Sequence, residues 1–346
     1  MKVGILGTGA IATKHAQAYR NIGFQIVACS NRTEARGREF ASRWGAEFVP
    51  NYHDLCRYPG LDFIDVTAFP NFHPEPVRIC AEIGRPILVQ KPIATNLDDA
   101  RRMIDLAHAA GIPFGVVSQH RFDDSTIFLK RALAAGRLGK LLEADAYVKW
   151  FRSDEYYSRP IKGSWETEGG GALINQAIHQ VDILLYLIGP VATVSGTWQI
   201  GARHKIESED IVNALLNYEC GATGVIQAAT ALWPGYPERI EIHGTKGSAI
   251  ITGDRLTRWD VLGDEEANRT DPAPVASDVA SGSSDPMAIS LVSFERQFED
   301  FAQAIRERRN PLVDGIEGYR ALAVVLGIYQ SCREKKAIGL REEKTV

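Results

Sequence analysis

The chain has 346 residues, a formal net charge of −4, and 45% hydrophobic against 24% charged residues. This length predicts two domains, and the composition is typical of a globular protein. The slight negative charge argues against nucleic acid or an acidic membrane as the main partner. The five cysteines are scattered and contain no Cys-x-x-Cys pair, which argues against a disulfide framework and a cysteine zinc site. The chain starts directly with a strand, and no apolar run approaches the roughly 20 residues of a spanning helix, so we expect a cytoplasmic protein.

A short apolar strand at residues 2–6 is followed at once by Gly7-Thr8-Gly9-Ala10-Ile11-Ala12. This is the Gly-x-Gly-x-x-Ala form of the dinucleotide-binding fingerprint in its strand–turn–helix context. Gly7 would form the tight turn, Gly9 would let the backbone approach a pyrophosphate, and Ala12 would permit close packing of helix on sheet. The first turn of the helix, with Ala10 and Ile11, would face the phosphates.

The residues that follow alternate between short apolar strands and helical segments. The predicted strands are 24–29, 46–49, 63–66, 87–89 and 113–117, and the predicted helices are 33–44, 74–83 and 97–110. Such alternation indicates a parallel sheet with helices on both faces. We therefore expect an α/β protein whose N-terminal domain, residues 1–121, is a doubly wound Rossmann domain.

The end of the second strand decides which dinucleotide is expected. An acidic residue there binds the adenosine ribose, whereas an arginine accommodates a 2′-phosphate. The chain has Ser30-Asn31-Arg32 at this place, without a carboxylate, which favours NADP with Ser30 and Arg32 on the phosphate. In the alternative, Arg32 is a solvated loop charge and NAD binds through Ser30 or Asn31. The predicted cofactor is thus NAD(P), with NADP favoured.

Two later strand ends would line the nicotinamide side of the crevice. The first is followed by Asn71 and His73, and we expect His73 to contact cofactor or backbone rather than a metal, because no partner ligands stand near it in sequence. The second ends in Gln90-Lys91-Pro92, where the proline fixes the backbone beside a lysine. A cis Lys91–Pro92 bond is predicted, because the cis form costs little before proline. No metal site is predicted.

Three glycines at 169–171 precede a mostly apolar helical segment that ends near residue 189. Polar residues recur in it at i, i+4, i+7 and i+11, namely Asn175, His179, Asp182 and Tyr186. A buried polar stripe must be satisfied or useful, since a buried unpaired polar group costs roughly 1–3 kcal/mol. In one interpretation His179 bonds Asp182 and the stripe is structural; in the other it carries the chemistry, with Asp182 orienting His179.

From residue 122 the pattern predicts a C-terminal α+β domain, residues 122–346, with a large, mainly antiparallel sheet. Strands are predicted at 142–151, 192–199, 211–218, 224–231, 239–243 and 248–252, and helices at 123–135, 291–308 and 316–334. The stretch 263–286 is rich in Gly, Asp, Ser, Ala and Pro, which indicates a mobile excursion. A closing lid is one role it could have.

Cations and aromatic residues concentrate before the glycine turn. Aromatic faces suit sugar rings, and cations suit a carboxylate or a diphosphate. The alternative is a solvated loop with a few packed rings. The candidate substrate-binding residues are Arg121, Trp150, Arg152, Tyr156, Lys162 and Trp165, together with Asn175 and His179.

The opening fingerprint, the Gln90-Lys91-Pro92 strand end and the glycine–histidine helix stand in an order that resembles the glucose-fructose oxidoreductase / inositol dehydrogenase / MocA family. The resemblance covers nearly the whole chain. Within the family, the runs Glu155-Tyr156-Tyr157, Gly163-Ser164-Trp165 and Asn175-Gln176 are similar to the UDP-N-acetylglucosaminuronate 3-dehydrogenase branch. By position, Lys91 matches the active-site lysine and His179 the catalytic histidine. Gln90 replaces the usual Glu, and Asn175 replaces a frequent Asp, as it does in the UDP-sugar branch.

The resemblance implies an NAD(P)-dependent dehydrogenase that acts on a secondary hydroxyl, at C3, of a pyranose sugar or nucleotide sugar. His179 would take the hydroxyl proton, Lys91 would stabilise charge on the same oxygen, and Asn175 would position the substrate or Lys91. It also implies a homodimer or homotetramer built through the large sheet. Two alternatives remain: a glycoside-cleaving enzyme that oxidises its substrate transiently with retained NAD, and a non-catalytic sugar or nucleotide sensor like the yeast galactose-pathway repressor of this family. A test of whether turnover needs added cofactor distinguishes the dehydrogenase from the glycoside-cleaving enzyme. The presence of Lys91 and His179 argues against the sensor.

Overall fold

The computed structural model describes residues 1–159, 161–263 and 290–340. These residues form two compact units, each with its own sheet. The first unit contains Met1–Gln119 together with Ser290–Tyr319, and the second contains the described residues from His120 to 263 and from Arg320 to 340. The predicted excursion at 263–286 lies, apart from Gly263, outside the described residues.

The sheet of the first unit has six strands, all parallel, in the order β3-β2-β1-β4-β5-β6. Its strands are β1 Lys2–Leu6, β2 Gln25–Ser30, β3 Glu47–Phe48, β4 Phe63–Val66, β5 Ile87–Val89 and β6 Phe114–Val116. The helices between them are α1 Ala10–Asn21, α2 Glu34–Trp44, α3 Tyr52–Cys56, α4 Pro74–Glu82 and α5 Leu97–Ala109, with a 3-10 turn at Pro70–Phe72. Every residue of β4 and β5 is buried, as in a sheet covered on both faces. The strand order reverses between β1 and β4, where doubly wound sheets bind dinucleotides.

The second unit carries an eight-stranded sheet in the order β13-β12-β11-β7-β10-β9-β8-β14. Its strands are β7 Leu141–Lys149, β8 Val191–Ile200, β9 Glu209–Tyr218, β10 Thr223–Ala229, β11 Arg239–Gly244, β12 Gly247–Thr252, β13 Arg255–Val261 and β14 Ile338–Gly339. All pairs are antiparallel except β10 with β7. The helices are α6 Asp124–Ala134, α7 Asp154–Tyr157, α8 Trp165–Glu168, a π-helical segment Leu173–Ala177, and α9 Ile178–Ile188. The predicted fold class, a Rossmann sheet plus an α+β half with a mainly antiparallel sheet, is confirmed.

Two helices close the chain, α10 Val292–Glu307 and α11 Gly315–Glu334. The single boundary predicted between residues 121 and 122 differs from the observed units, because 290–319 belongs to the first. The reason is the aromatic face of α10. The ring of Phe298 lies 4.9 Å from that of His15 and 4.3 Å from that of Tyr19, between centroids, so α10 covers the inner face of α1. Such packing between distant segments leaves no local signal in the sequence.

One stretch corrects the expectation that no apolar run approaches membrane-spanning length. Among the described residues, the helical stretch Trp165–Ile188 has 24 residues and a mean hydropathy of 1.2, enough by length and composition to cross a membrane. In the structure 78% of the 18-residue window that meets the test is buried. Buried core helices pass the same test of length and composition, and this stretch contains the predicted polar stripe.

Candidate active site

The turn after β1 has the geometry that a phosphate-binding loop requires. Gly7 has φ +97, and a Cβ placed on it would lie 2.9 Å from the backbone nitrogen of Ala68. Its N–H donates to Ser30 O at 2.9 Å, and the hydroxyl of Thr67 donates to its carbonyl oxygen at 2.9 Å. The first glycine of the fingerprint is therefore required by sterics, since an L-residue would be strained in φ and would clash.

The start of α1 fits the pyrophosphate of a dinucleotide. Gly9 is its N-cap, and no side chain of the described residues caps the helix. A Cβ on Gly9 would meet no atom within 4 Å in the described part of the chain, so the second glycine leaves open space beside the helix N-terminus. The buried hydroxyl oxygen of Thr8 lacks a hydrogen-bond partner among the described residues. Open backbone N–H groups and a positive helix end are what an anion needs. Ala10 is exposed and Ile11 half-buried in this first turn, while Ala12 is fully buried against the sheet.

The loop after β2 gives its three candidate residues different roles. Ser30 is 2% exposed, and its hydroxyl is directed at Pro50 O at 3.5 Å. The Asn31 side chain accepts a hydrogen bond from Thr8 N at 3.3 Å and donates to Thr33 O at 2.9 Å. It therefore links the glycine turn after β1 to the loop after β2. Arg32 is exposed. Arg32 is therefore the one charged residue of the three, and its side chain is open to solvent.

The loop after β4 carries Asn71 and His73, which differ in exposure. Asn71 is exposed, whereas His73 is completely buried. The two ring nitrogens of His73 lie 2.9 Å from Ile93 O and 3.1 Å from Ala68 O. Burial lowers the pKa of His73, although both carbonyl groups favour its protonated form. This histidine therefore lies between the loops after β4 and β5. We predicted that His73 contacts cofactor or backbone, and the structure shows the contact with backbone.

The end of β5 has the predicted cis peptide bond between Lys91 and Pro92. Gln90 is 6% exposed, and its side-chain oxygen accepts a hydrogen bond from the backbone N–H of Lys91 at 3.0 Å. The side chain of Lys91 is half-exposed. The backbone of Lys91, the lysine that the family resemblance singles out, is thus held by a hydrogen bond to the neighbouring Gln90 side chain.

In the second unit, the glycine turn is fixed by Glu209, which the sequence did not single out. Its carboxylate accepts hydrogen bonds from Gly171 N at 2.7 Å, from Leu173 N at 2.8 Å and from the Tyr329 hydroxyl at 2.7 Å. A Cβ on Gly171 would lie 1.8 Å from the carbonyl oxygen of Glu209. Burial raises the pKa of Glu209 to about 7, despite the hydrogen bonds that favour its charged form. Glu209 therefore caps the helical segment that bears Asn175 and His179.

In the polar stripe, Asp182 has a cationic partner that the sequence did not indicate. Asp182 accepts two hydrogen bonds from the guanidinium of Arg121, at 2.8 and 2.6 Å, and both residues are buried. This bidentate pair gives Arg121 a buried structural contact with Asp182, and the predicted contact of Arg121 with substrate stays a prediction. Asn175 lies in the π-helical segment instead of a regular α-helix, and its amide donates to Gly170 O at 3.2 Å. Such single π-turns are frequent at functional sites.

His179 is 9% exposed, and the ring of His120 meets its ring edge to face at 5.1 Å between centroids. His120 is itself held by Asp123, whose carboxylate lies 2.8 Å from Nδ1. Burial lowers the pKa of His120, but Asp123, Glu238 and Asp254 together raise it by more, so the net pKa lies above the ordinary value. A second imidazole, oriented by a carboxylate, therefore packs against the candidate base.

Four predicted or neighbouring side chains form a polar cluster in front of this helix. The Tyr156 ring lies under two cations, with Lys162 Nζ 5.1 Å and Arg152 Cζ 5.7 Å from its centroid. The amide of Gln176 donates to the Tyr156 hydroxyl at 3.3 Å, and the Gln176 oxygen is buried without a hydrogen-bond partner among the described residues. Lys162 is paired with Glu168. Burial lowers the pKa of Lys162, but Tyr156 and Glu168 raise it by more, so the ammonium form is favoured.

The two predicted tryptophans lie in different places. Trp150 is 6% exposed and stacks under the guanidinium of Arg152, with Cζ 4.9 Å from the ring, so it supports the cluster from below. Trp165 donates through its backbone and indole N–H to Glu207, at 2.7 and 2.9 Å, and its ring packs against Tyr329. Trp165 therefore stands with the residues that hold the glycine turn. The sequence did not predict a site role for Gln176, which it showed only as part of the glycine–histidine run.

A parallel sheet in the order 3-2-1-4-5-6, with a glycine turn and an uncapped helix N-terminus after β1, defines a dinucleotide-binding protein of the Rossmann class. Residues 1–117 match the model of an oxidoreductase family with an NAD-binding Rossmann fold, and residues 127–250 match the GFO/IDH/MocA C-terminal domain. The chain belongs to the GFO/IDH/MocA family of oxidoreductases. The predicted family is thereby confirmed, together with an NAD-binding domain.

Similar proteins cover the whole chain. The myo-inositol 2-dehydrogenase of Thermotoga maritima is 27% identical over 355 residues, which span 99% of each chain. The scyllo-inositol 2-dehydrogenase (NAD(+)) of Bacillus subtilis is 25% identical over 98% of this chain and 96% of its own. The crystal structure of the WlbA dehydrogenase from Bordetella pertussis, in complex with NADH and UDP-GlcNAcA, has a TM-score of 0.87 at 27% identity and covers 99% of this chain and 98% of that one.

Proposed function

We propose that the protein is an NAD(P)-dependent dehydrogenase or reductase that interconverts a secondary hydroxyl and a ketone, at C3, of a pyranose sugar or nucleotide sugar. The observation that carries this proposal is the polar cluster of the second unit. Arg152, Tyr156 and Lys162 meet Gln176, which lies on the same helical segment as His179 and three residues before it. A group recognised by this cluster would bring the rest of the substrate close to the candidate base.

The chemistry of the cluster suits an acidic sugar. An aromatic ring such as Tyr156 suits the face of a pyranose, while the two cations near it attract a carboxylate or a diphosphate. The buried oxygen of Gln176 adds an acceptor for a substrate hydroxyl or amide N–H. The similarity to the WlbA dehydrogenase, whose structure holds UDP-GlcNAcA, supports a nucleotide-linked sugar acid over a neutral cyclitol.

Each candidate residue then has one task. A bound nicotinamide supplies the hydride acceptor or donor. His179 accepts the proton of the reacting hydroxyl, which suits an imidazole because its pKa lies near neutrality. Lys91 donates a hydrogen bond to the same oxygen and stabilises the charge that develops on it. Asn175, whose amide holds Gly170 O, keeps the backbone ahead of His179 in place and positions the substrate.

We propose NADP(H) as the preferred dinucleotide. The three residues directly after β2, Asn31-Arg32-Thr33, include no carboxylate, and the exposed Arg32 can meet a 2′-phosphate. Ser30 is directed towards Pro50, so the preference rests on Arg32 alone. Gly7, Gly9 and the first turn of α1 would hold the pyrophosphate, and Asn71 with Gln90 and Lys91 would border the nicotinamide. Titration of the protein with NADH and NADPH, and of an Arg32→Ala variant, tests this. We expect Arg32→Ala to bind NADPH more weakly than the wild type does, and to bind NADH and NADPH with equal affinity.

The function itself is tested with purified protein by following reduced nicotinamide. UDP-N-acetylglucosaminuronate, myo-inositol and a neutral pyranose should be compared as substrates with NAD and NADP. His179→Ala and Lys91→Ala should each lower kcat about a hundredfold or more. His243→Ala, at a partly exposed histidine of β11, is the matched control and should keep turnover. A His179→Ala enzyme with near-normal turnover would remove the assigned base, and turnover without added cofactor would favour the transient-redox, bond-cleaving alternative.

We further propose a homodimer or homotetramer in the cytoplasm, assembled through the eight-stranded sheet. Residues of β9 alternate between buried and exposed, and Leu215 on its outer side is 58% exposed. An apolar residue in the middle of an open sheet face is typical of a surface that is covered in an assembly. Light scattering of the wild-type protein and of a Leu215→Lys variant tests this, with a smaller assembly expected for the variant.

A further inference from the structure

Three buried side chains of the first unit form a chain of hydrogen bonds that ends at the backbone of Lys91. Asp65 on β4 lies 2.7 Å from His15 Nδ1, through its Oδ2. Nε2 of His15 lies 2.9 Å from Nε2 of Gln90, at the end of β5. Asp65 and His15 are fully buried and Gln90 is 6% exposed, so water does not replace these contacts.

The contacts of Gln90 determine the protonation of His15. The N–H of Lys91 can only donate, and it lies 3.0 Å from the Gln90 side-chain oxygen, so this oxygen must face Lys91. The amide nitrogen of Gln90 then faces His15, and an amide nitrogen can only donate as well. His15 Nε2 must therefore be the acceptor, without a proton. The proton of a neutral imidazole is left on Nδ1, from which it is donated to Asp65.

The surroundings of His15 match this neutral tautomer. The Tyr19 hydroxyl donates to the same Asp65 oxygen at 2.9 Å, and burial together with Asp65 raises the pKa of Tyr19 well above its usual range, so it stays a donor. The rings of Phe294 and Phe298 lie 5.3 and 4.9 Å from the His15 ring. Asp65 and Tyr19 are thus the titratable groups that face His15, and the rest of its described contacts are neutral or apolar.

We propose that His15 and Gln90 are positioning residues for Lys91. The backbone N–H of Lys91 is held by hydrogen bonds that run from the Asp65 carboxylate through a neutral His15 to Gln90. The proposal rests on the function assigned above to Lys91. It also explains what Gln90 does in this chain. A carboxylate at position 90 could only accept, so it would keep the contact with His15 only if Nε2 carried a proton. The relay would then hold an imidazolium between two carboxylates, and Lys91 would stand beside a negative charge.

The protonation state is tested directly by nitrogen NMR of the full-length protein labelled at histidine. The His15 signals are assigned by their loss in His15→Phe. The wild type should show His15 protonated on Nδ1 alone at neutral pH, whereas Gln90→Glu should show both nitrogens protonated. Gln25→Glu, at an exposed position of β2, is the matched control and should leave the His15 signals unchanged. An Nε2-protonated or doubly protonated His15 in the wild type would overturn the relay.

The positioning role is tested by kinetics of the same variants. Gln90→Leu removes both contacts at similar volume and should lower kcat roughly 10- to 100-fold with little change in substrate KM, because displacement of a catalytic group costs rate more than binding. Gln90→Glu should recover part of this rate and add an ionisation to the pH profile of kcat that the wild type lacks. A folded Gln90→Leu enzyme with wild-type kcat, or a Gln90→Glu profile that matches the wild type, refutes the positioning role. Lys91→Ala with normal turnover would instead refute the proposed function, while the NMR result for His15 would stand.

Discussion

The ionisation of Glu209 should give the protein a pH dependence of stability with a definite sign. Burial raises the pKa of this carboxyl from 4.5 to about 7 in the folded protein. A group with a raised folded pKa binds its proton more tightly in the folded state, so its contribution to stability is complete below about pH 4.5. That contribution is lost as the pH rises towards 7 and is constant above. At about 1.4 kcal/mol per pH unit, the loss is on the order of 3 kcal/mol.

The comparison with Glu209→Gln isolates this contribution. The variant cannot ionise, and its amide N–H₂ must face either Gly171 N–H or Leu173 N–H, one of which loses its acceptor. We expect Glu209→Gln to be less stable by roughly 1–3 kcal/mol where the wild-type carboxyl is protonated. The difference should narrow as the pH rises from 4.5 to 7.

Urea unfolding of both proteins at several pH values between 4 and 8 measures the difference in the free energy of unfolding. Glu143→Gln, at an exposed position of β7, controls for the removal of a surface carboxylate. If the advantage of the wild type over Glu209→Gln grows with pH in this window, the hydrogen bonds outweigh burial and the reasoning is wrong. Kinetics of the same variant report whether the anchored turn matters to His179.

Three further substitutions test separate parts of the structure. Gly171→Ala should destabilise by roughly 1–3 kcal/mol and lower the melting temperature, because its Cβ would lie 1.8 Å from Glu209 O. Gly9→Ala should leave the melting temperature nearly unchanged but weaken nucleotide binding about tenfold or more in a titration, because its Cβ would enter the space open to the phosphates; unchanged affinity would count against that site. Arg121→Met should cost roughly 3–5 kcal/mol in urea unfolding by leaving Asp182 buried without its cation, and Arg121→Met combined with Asp182→Leu should recover most of the loss. A double variant as unstable as the single one would contradict this account.

Local pattern was sufficient to predict most of the fold. The strands predicted at 63–66 and 87–89 have the observed bounds, Phe63–Val66 and Ile87–Val89. The fingerprint after β1 predicted a tight turn at Gly7, which has φ +97. Apolar periodicity and the residues that start or stop a helix act over a few neighbouring residues, so they can be read from the chain itself. The short strand β13 was missed because its alternation is interrupted by charged residues.

The partners of the polar residues could not be read in this way. His73 was predicted at cofactor or backbone and Arg121 at substrate, but the sequence did not indicate their partners within the chain. The His73 ring nitrogens lie 2.9 and 3.1 Å from two loop carbonyl oxygens, and Arg121 donates to Asp182. Glu209 gave no signal, because a glutamate at the start of a strand resembles any surface glutamate until the glycine turn is packed against it. The catalytic assignments of Lys91, Asn175 and His179 stay predictions that the proposed experiments test.

The sequence by itself therefore determined the parallel Rossmann sheet, the glycine turns and the family resemblance, because each is indicated by short runs of neighbouring residues. Only the tertiary structure decided which polar groups are paired. His15 meets Gln90 across 75 positions of sequence, and Glu209 meets Tyr329 across 120. A hydrogen bond depends on atoms being within about 3 Å, and which atoms come that close is decided by how the elements pack.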